Sequence, residues 1–234
     1  ALQGNEPALA NCELVLKESG RQLAEFHQVA AGDLGFGEAP RDNRSFLSAF
    51  QDWLGRFRWQ LRIMGVNRQR LENLIGHFPE AMLNRLGTQV VPVDAQPKNI
   101  LVGSNGRPHF IDLAYSIGNP ALGAALFLAS IDRLRVRRPG ARASRFSRMR
   151  NAFRSGYLKH VPEGVRSDLP LFYPWALLYT MHRHTPANPI KGRIAGFLYA
   201  KSLAEYVGAT PCLLHVTIPA TESVPVGQDT SCVD

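Results

Sequence analysis

The chain has little lysine, little cysteine and no long apolar run. Only 5 of its 27 basic residues are lysines, and the other 22 are arginines. Its 3 cysteines, Cys12, Cys212 and Cys232, are too few and too scattered for a disulfide framework or a zinc site. The longest apolar run, 121–131, is shorter than the ~18–20 residues of a membrane-spanning helix. We therefore expect a cytoplasmic protein without a membrane span.

The composition is that of a chain able to bury a core. The 234 residues are 45% hydrophobic and include 3 Trp, 6 Tyr and 12 Phe. The formal net charge is +8, and nine arginines fall within 133–154, a segment without Asp or Glu. The chain begins with Ala1 rather than Met and enters a helical pattern almost at once, so we expect a piece of a longer protein.

Hydrophobic spacing predicts helices on both sides of one short β segment. The predicted helices are 9–30 with a break near Gly20, about 45–62, 67–86, 120–135, 141–160, 170–183 and 189–208. The predicted strands are 88–93, 99–102 and 109–113. Because strands and helices do not alternate, we expect an α+β fold that is mostly helical. We assign residues 1–208 to one domain and 209–234 to a loosely ordered tail.

The dipeptide Asn105-Gly106 between two β-type runs predicts a hairpin with a two-residue turn. With these two residues at the centre of the turn, Asn99 pairs with Asp112 across the strands. That pair is non-hydrogen-bonded, with Cα atoms ~4.5 Å apart and both side chains on one face.

This pattern indicates a magnesium–phosphate site. An amide oxygen and a carboxylate, here Asn99 and Asp112, are hard ligands that suit Mg²⁺. Asp94 lies five residues before Asn99 on a loop stiffened by Pro97, and a carboxylate held there can accept a proton from an attacking hydroxyl. Each residue alone could instead be a helix cap or turn former. The hypothesis depends on finding all three around one hairpin.

The same residues resemble those of a known family. Asp94-Ala-Gln-Pro-Lys-Asn99-Ile-Leu, followed by His109-Phe-Ile-Asp112-Leu, is similar to the catalytic and metal-binding loops of the aminoglycoside-phosphotransferase family, in the protein-kinase-like superfamily. The segment Leu23-Ala-Glu-Phe-His27 resembles the end of the first large-lobe helix of that family. The resemblance covers about residues 10–206 and is sharpest over 94–120.

The resemblance implies a protein-kinase-like large lobe in which a small β-hairpin carries the catalytic and metal-binding loops. It also implies ATP-dependent phosphorylation of a hydroxyl on a small molecule. The residues themselves leave the acceptor open between an antibiotic, an amino alcohol, a sugar and a protein. Asp94 would be the catalytic base, and Asn99 and Asp112 would hold Mg²⁺ against the ATP phosphates. His27 would be a buried structural partner of the catalytic loop.

The chain also departs from the family. Pro92 and Val93 replace the usual His-Gly, and Asn119 replaces the Asp of Gly-Asp-Pro. No segment resembles the small lobe that covers the nucleotide, so we expect that lobe to be missing. One alternative is therefore a catalytically inactive kinase-like module that binds a partner or a polyanion through the Arg-rich segment 133–154. A second is a helical nucleic-acid-binding domain, which leaves the hairpin pattern unexplained.

Overall fold

The computed structural model of the chain describes residues 6–29, 43–76, 89–92, 94–138, 143–185 and 189–209. Within these ranges the chain is mostly helical and contains two short antiparallel strand pairs. This confirms the expected α+β, mostly helical class. The predicted tail lies outside the described residues from position 210 onward.

The helices and strands are numbered here in chain order over the described residues. The helices are α1 (Glu6–Phe26), α2 (Asn43–Arg56), α3 (Arg58–Ile63), α4 (Arg68–Gly76), α5 (Pro120–Arg137), α6 (Ala143–Leu158), α7 (Glu163–His184) and α8 (Pro189–Ala209). The strands are β1 (Gln89–Pro92), β2 (Ile100–Val102), β3 (Pro108–Phe110) and β4 (Tyr115–Gly118), with a short 3-10 turn at Pro97–Asn99. No helix within these ranges is both long and apolar enough to cross a bilayer.

Helix α5 lies at the centre of the core. Its first three turns are almost entirely apolar and present no polar face to solvent, as expected of a helix that other helices surround. It contacts α6, α7, α8 and β1. Phe127 is fully buried and stacks on Phe153 of α6 with ring centroids 4.0 Å apart. The central helix therefore joins the helical layers to the strand that leads into the candidate site.

Helices α1 and α6 pack with their backbones almost in contact. A Cβ atom on Gly156 would lie 1.8 Å from the carbonyl oxygen of Lys17, and one on Gly20 would lie 2.3 Å from that of Phe153. The prediction that Gly20 breaks α1 is wrong, because the helix continues to Phe26. The missing side chains let the two helices approach this closely.

Helix α7 begins at Glu163 rather than at the predicted residue 170, and it contains two prolines in its interior. Pro174 has no N–H to donate to the carbonyl of Pro170 one turn earlier. The hydroxyl of Tyr206 in α8 donates to that carbonyl at 3.1 Å instead. A side chain from another helix thus replaces the lost backbone hydrogen bond, and the helix continues through its prolines.

Candidate functional site

The hairpin between β2 and β3 forms, but in a different register from the predicted one. Leu101 pairs with His109, so Asn99 lies opposite Ile111, whose N–H donates to the Asn99 carbonyl at 2.9 Å. The prediction that Asn99 pairs directly with Asp112 is wrong.

The physical reason for this shift is the conformation of the turn. A two-residue turn of the predicted type needs positive φ at both Asn105 and Gly106. Gly106 has a positive φ of 74°, whereas Asn105 does not have a positive φ. Gly106 N–H donates to the carbonyl of Gly103, which makes Ser104 and Asn105 the centre of the turn and Gly106 the third loop residue. Three-residue loops of this kind shift the register by one.

A second strand pair, which the sequence did not reveal, brings the two loops of the site together. Strands β1 and β4 are antiparallel, and the ladder ends where Pro92 pairs with Tyr115. Asp94 follows Pro92 by two residues, and Asp112 precedes Tyr115 by three. Both carboxylates therefore lie just beyond the same end of this ladder. Phe26 at the end of α1 stacks on Tyr115 with ring centroids 5.7 Å apart, which fixes that end against the helices.

The carboxylate of Asp94 is held by donors on both oxygens. The side-chain amide of Gln96 donates to Oδ1. On the other oxygen, Asn99 Nδ2 donates to Oδ2 at 3.1 Å, and Lys98 Nζ lies 3.6 Å from the same atom. These contacts fix the orientation of a half-buried carboxylate at the start of the loop.

Asn99 is 6% exposed and is oriented by the loop itself. Its Nδ2 donates to both the backbone carbonyl of Asp94, at 2.9 Å, and the Asp94 carboxylate. Both contacts use the amide nitrogen, so the amide oxygen points away from Asp94. That oxygen is the atom of the Asn99 side chain that can ligate a hard cation.

Asp112 has an exposed side chain and a left-handed backbone, with φ of 50°. Among the described residues it is the one non-glycine residue with positive φ. Asp tolerates this conformation better than most residues, but such outliers are concentrated at functional sites. The conformation also turns the chain out of the strand direction, so the alternation of side chains along β3 does not extend to Asp112.

His27 is buried, as expected, but its contacts are with helices rather than with the loop at 94–99. Its Nδ1 lies 2.8 Å from the hydroxyl of Tyr157, which in turn donates to the carbonyl of Pro120 at 3.2 Å. Because the hydroxyl has one proton, the ring must donate from Nδ1. Nε2 then carries the lone pair and faces Gly123, where an added Cβ would lie 3.0 Å away. Burial lowers the pKa of His27 to about 3.

Asn119 has a structural role that suits an amide better than a carboxylate. Its Oδ1 accepts from the N–H of Ala121 at 2.9 Å and so caps α5, while its Nδ2 donates to Asp168 Oδ2 at 2.7 Å. Asn119 and Asp168 are 4% and 2% exposed. An Asp at position 119 would place two buried carboxylates side by side. The amide of Asn119, where the family has Asp, is therefore suited to its neighbour Asp168 on α7, because it can donate a hydrogen bond to that carboxylate.

Four residues at the site were not among the predicted functional residues. Gln96 bridges the loop to α5, because its Oε1 accepts from Arg133 Nη1 at 3.3 Å while its amide donates to Asp94. Arg133 Nη1 also donates to Nε2 of His184 at the end of α7, at 3.1 Å. Lys98 completes the group beside Asp94. The Arg133 contacts join residues 37 and 51 positions apart, and no spacing in the sequence reveals them.

The surroundings of His184 are strongly positive. Its pKa is lowered to about 4 by burial and then by the positive charges of Arg133, Arg137, Arg183 and Lys98. Burial also lowers the pKa of the Arg133 guanidinium, Arg137 lowers it further, and the Asp94 carboxylate raises it.

The residues present fit a magnesium–nucleotide complex by ligand type. Within the described residues no group of three or more His, Cys, Asp and Glu side chains could hold a metal ion. Mg²⁺, however, usually takes only one or two protein ligands and completes its shell with water and phosphate oxygens. The amide oxygen of Asn99 and the exposed carboxylate of Asp112 meet that requirement.

The structure thus brings Asp94 and Asn99 into direct contact and places Asp112 next to the residue that pairs with Asn99. Of the two positions that depart from the family's His-Gly, Pro92 ends β1, and position 93 lies outside the described residues. No protein-family model matches the chain, and no curated protein or solved structure matches it.

Proposed function

We propose that the chain is an ATP-dependent phosphotransferase, similar to the aminoglycoside phosphotransferases, that phosphorylates a hydroxyl of a small molecule in the cytoplasm. The observation that supports this most is the way the Asp94 carboxylate is held. Gln96, Lys98 and Asn99 all present donors to it, at the end of the strand ladder beyond which Asp112 also lies.

Each residue has a separate role in this proposal. Asp94 orients the acceptor hydroxyl and accepts its proton at a carboxylate oxygen. Asn99, through its amide oxygen, and Asp112, through its carboxylate, would hold Mg²⁺ with ATP. The bound ion would neutralise charge on the phosphoryl group that is transferred. The remaining contribution of the chain is positioning, which the short hydrogen-bonded loop provides.

The Arg-rich segment gives less support to polyanion binding than its composition suggests. Arg135 pairs with Glu205 at 2.7 Å, Arg150 pairs with the buried Asp132 at 2.6 Å, and Arg148 contacts Glu6 at 2.9 Å. These arginines join helices to one another and do not form one free face. Phosphotransfer therefore remains the function that the site favours.

The test is transfer of radiolabelled γ-phosphate from ATP, with Mg²⁺ present, to pooled hydroxyl compounds. The pools are aminoglycosides, amino alcohols, sugars and hydroxy acids. We expect transfer to at least one pool, and we expect Asp94→Asn to lower kcat by about 100- to 10,000-fold because it removes the proton acceptor. Asp52→Asn is the matched control, because Asp52 is an exposed carboxylate on α2 and is not part of the loop.

Two outcomes would contradict the proposal. One is wild-type kcat in the Asp94→Asn variant. The other is no transfer to any pool, together with RNA or heparin binding that weakens steeply with salt, which would favour the inactive polyanion-binding module.

A further inference from the structure

A basic patch lies beside the candidate catalytic carboxylate. It consists of Lys98 in the loop after β1, Arg133 and Arg137 in α5, and Arg183 at the end of α7. Lys98, Arg137 and Arg183 are exposed, and Arg133 is half-buried. Arg133 and Arg137 are four residues apart in α5, so they lie on one face of the helix.

The basic patch is attached to the site by direct contacts. Arg133 donates to Gln96 at 3.3 Å, and Gln96 donates to Asp94. Arg133 also donates to His184 at 3.1 Å, which fixes the end of α7 and its Arg183 next to α5. Lys98 Nζ lies 3.6 Å from Asp94 Oδ2. The patch therefore borders Asp94.

The positive charge of the patch is poorly compensated. The charges that lower the pKa of His184 most are four cations, and Asp94 is the carboxylate that raises the pKa of Arg133. Arg137 and Arg183 have no ion pair within the described part of the chain. By contrast, Arg135, Arg148 and Arg150 in the neighbouring sequence all pair with carboxylates. Four clustered cations against one carboxylate form a site for an anionic group.

We propose that the basic patch binds a carboxylate or phosphate group of the acceptor, so that the acceptor is an anionic hydroxyl compound. This inference rests on the proposed function for the identity of the ligand as the acceptor. A polyamine such as an aminoglycoside is cationic at neutral pH and would be repelled by the patch. The patch borders Asp94, the residue proposed to orient the hydroxyl, and an anion held there leaves Asn99 and Asp112 to Mg²⁺ and ATP.

The test measures binding of small probes to the full chain by calorimetry at low salt, without nucleotide. The probes are glycerol 3-phosphate, glycerate, glycerol and ethanolamine. They share a hydroxyl and differ in charge. We expect the two anionic probes to bind at least about tenfold more tightly than the other two, because two or more charge-assisted contacts form.

The variants separate the patch from general charge effects. We expect Arg137→Gln/Arg183→Gln to weaken binding of glycerol 3-phosphate about tenfold. Both side chains are exposed and unpaired among the described residues, so folding should not change. Arg154→Gln/Arg193→Gln removes the same charge from exposed positions on α6 and α8 and should leave the affinity unchanged. Equal weakening by both double variants, or equal binding of all four probes, would overturn the proposal.

A further binding measurement, with Mg²⁺-ATP as the ligand, tests whether the patch binds the acceptor or the phosphates of the nucleotide. If Arg137→Gln/Arg183→Gln weakens Mg²⁺-ATP binding as strongly as glycerol 3-phosphate binding, the patch serves the nucleotide and the proposal is overturned. Unchanged ATP affinity supports it. If the patch binds the anionic probes but the protein transfers no phosphate, the anion site is supported and the proposed phosphotransfer is contradicted. A failure of the anion site and a failure of phosphotransfer can therefore be told apart.

Discussion

Lowering the pH from 7 to 4.5 is expected to destabilise the protein through His27. The ring is 3% exposed, its Nδ1 is engaged with Tyr157, and its Nε2 is buried without a hydrogen-bond partner among the described residues. Protonation would place an N–H at Nε2, which faces Gly123 and has no acceptor among the described residues. The folded state therefore keeps this histidine neutral.

The expected loss of stability follows from the pKa values of His27 in the folded and unfolded states. The pKa of His27 is about 3 in the folded state, lowered by burial, against about 6.5 in the unfolded chain. Between these values the unfolded state binds more protons, so the free energy of unfolding falls as the pH falls. The slope is about 1.36 kcal/mol per pH unit, which gives a loss of about 2.7 kcal/mol at pH 4.5 relative to pH 6.5 and above.

The assay is urea denaturation followed by tryptophan fluorescence at pH 7 and pH 4.5. We compare the wild type with His27→Gln, whose difference between the two pH values should be smaller by about 2.7 kcal/mol. His184, with its pKa lowered to about 4, is present in both proteins and cancels in the comparison. The exposed His109→Gln variant serves as the control and should retain the wild-type difference. If His27→Gln and the wild type lose the same stability on acidification, the reasoning is refuted.

Three further single substitutions test the helix packing and one buried polar pair by urea denaturation. Gly156→Ala should lower the free energy of unfolding by about 1–3 kcal/mol, because its Cβ would overlap the backbone of α1. Gly55→Ala, where a Cβ meets nothing within 4 Å, should raise it by about 0.5–1 kcal/mol, and equal effects would contradict the close helix crossing. Asn119→Asp should lower it by about 3–5 kcal/mol, because it sets a second carboxylate beside Asp168. Adding Asp168→Asn should restore most of that loss, and no restoration would show that the pair is not responsible.

The helices could largely be predicted from the sequence, because their apolar spacing reflects which faces are buried. The first three turns of α5 are apolar on all sides, and they lie at the centre of the core. The start of α7 could not be predicted in this way. A proline at residue 170 normally begins a helix. The carbonyl of Pro170, which Pro174 leaves without a backbone donor, accepts instead from the hydroxyl of Tyr206, 36 residues later.

The sequence singled out Asp94, Asn99 and Asp112 as candidates, but the pairing that it predicted between Asn99 and Asp112 is wrong. Asp94 and Asn99 lie in one short loop, and their direct contact became visible only in the structure. The register of the hairpin depends on a single backbone angle at Asn105, which sequence preference did not determine. Strand β4 has four residues and no clear alternation, so its pairing with β1 was missed. The partners of Arg133 come from distant segments that only the fold brings together.

The most direct test of the central claim is the affinity for ATP, measured by calorimetry with and without Mg²⁺. We expect Mg²⁺ to tighten ATP binding at least about tenfold in the wild type and to have no such effect in Asp112→Asn, which lacks the carboxylate ligand. Asp52→Asn should behave like the wild type. ATP binding that Mg²⁺ does not change, or the same Mg²⁺ dependence in Asp112→Asn, would show that Asp112 does not hold Mg²⁺ with ATP.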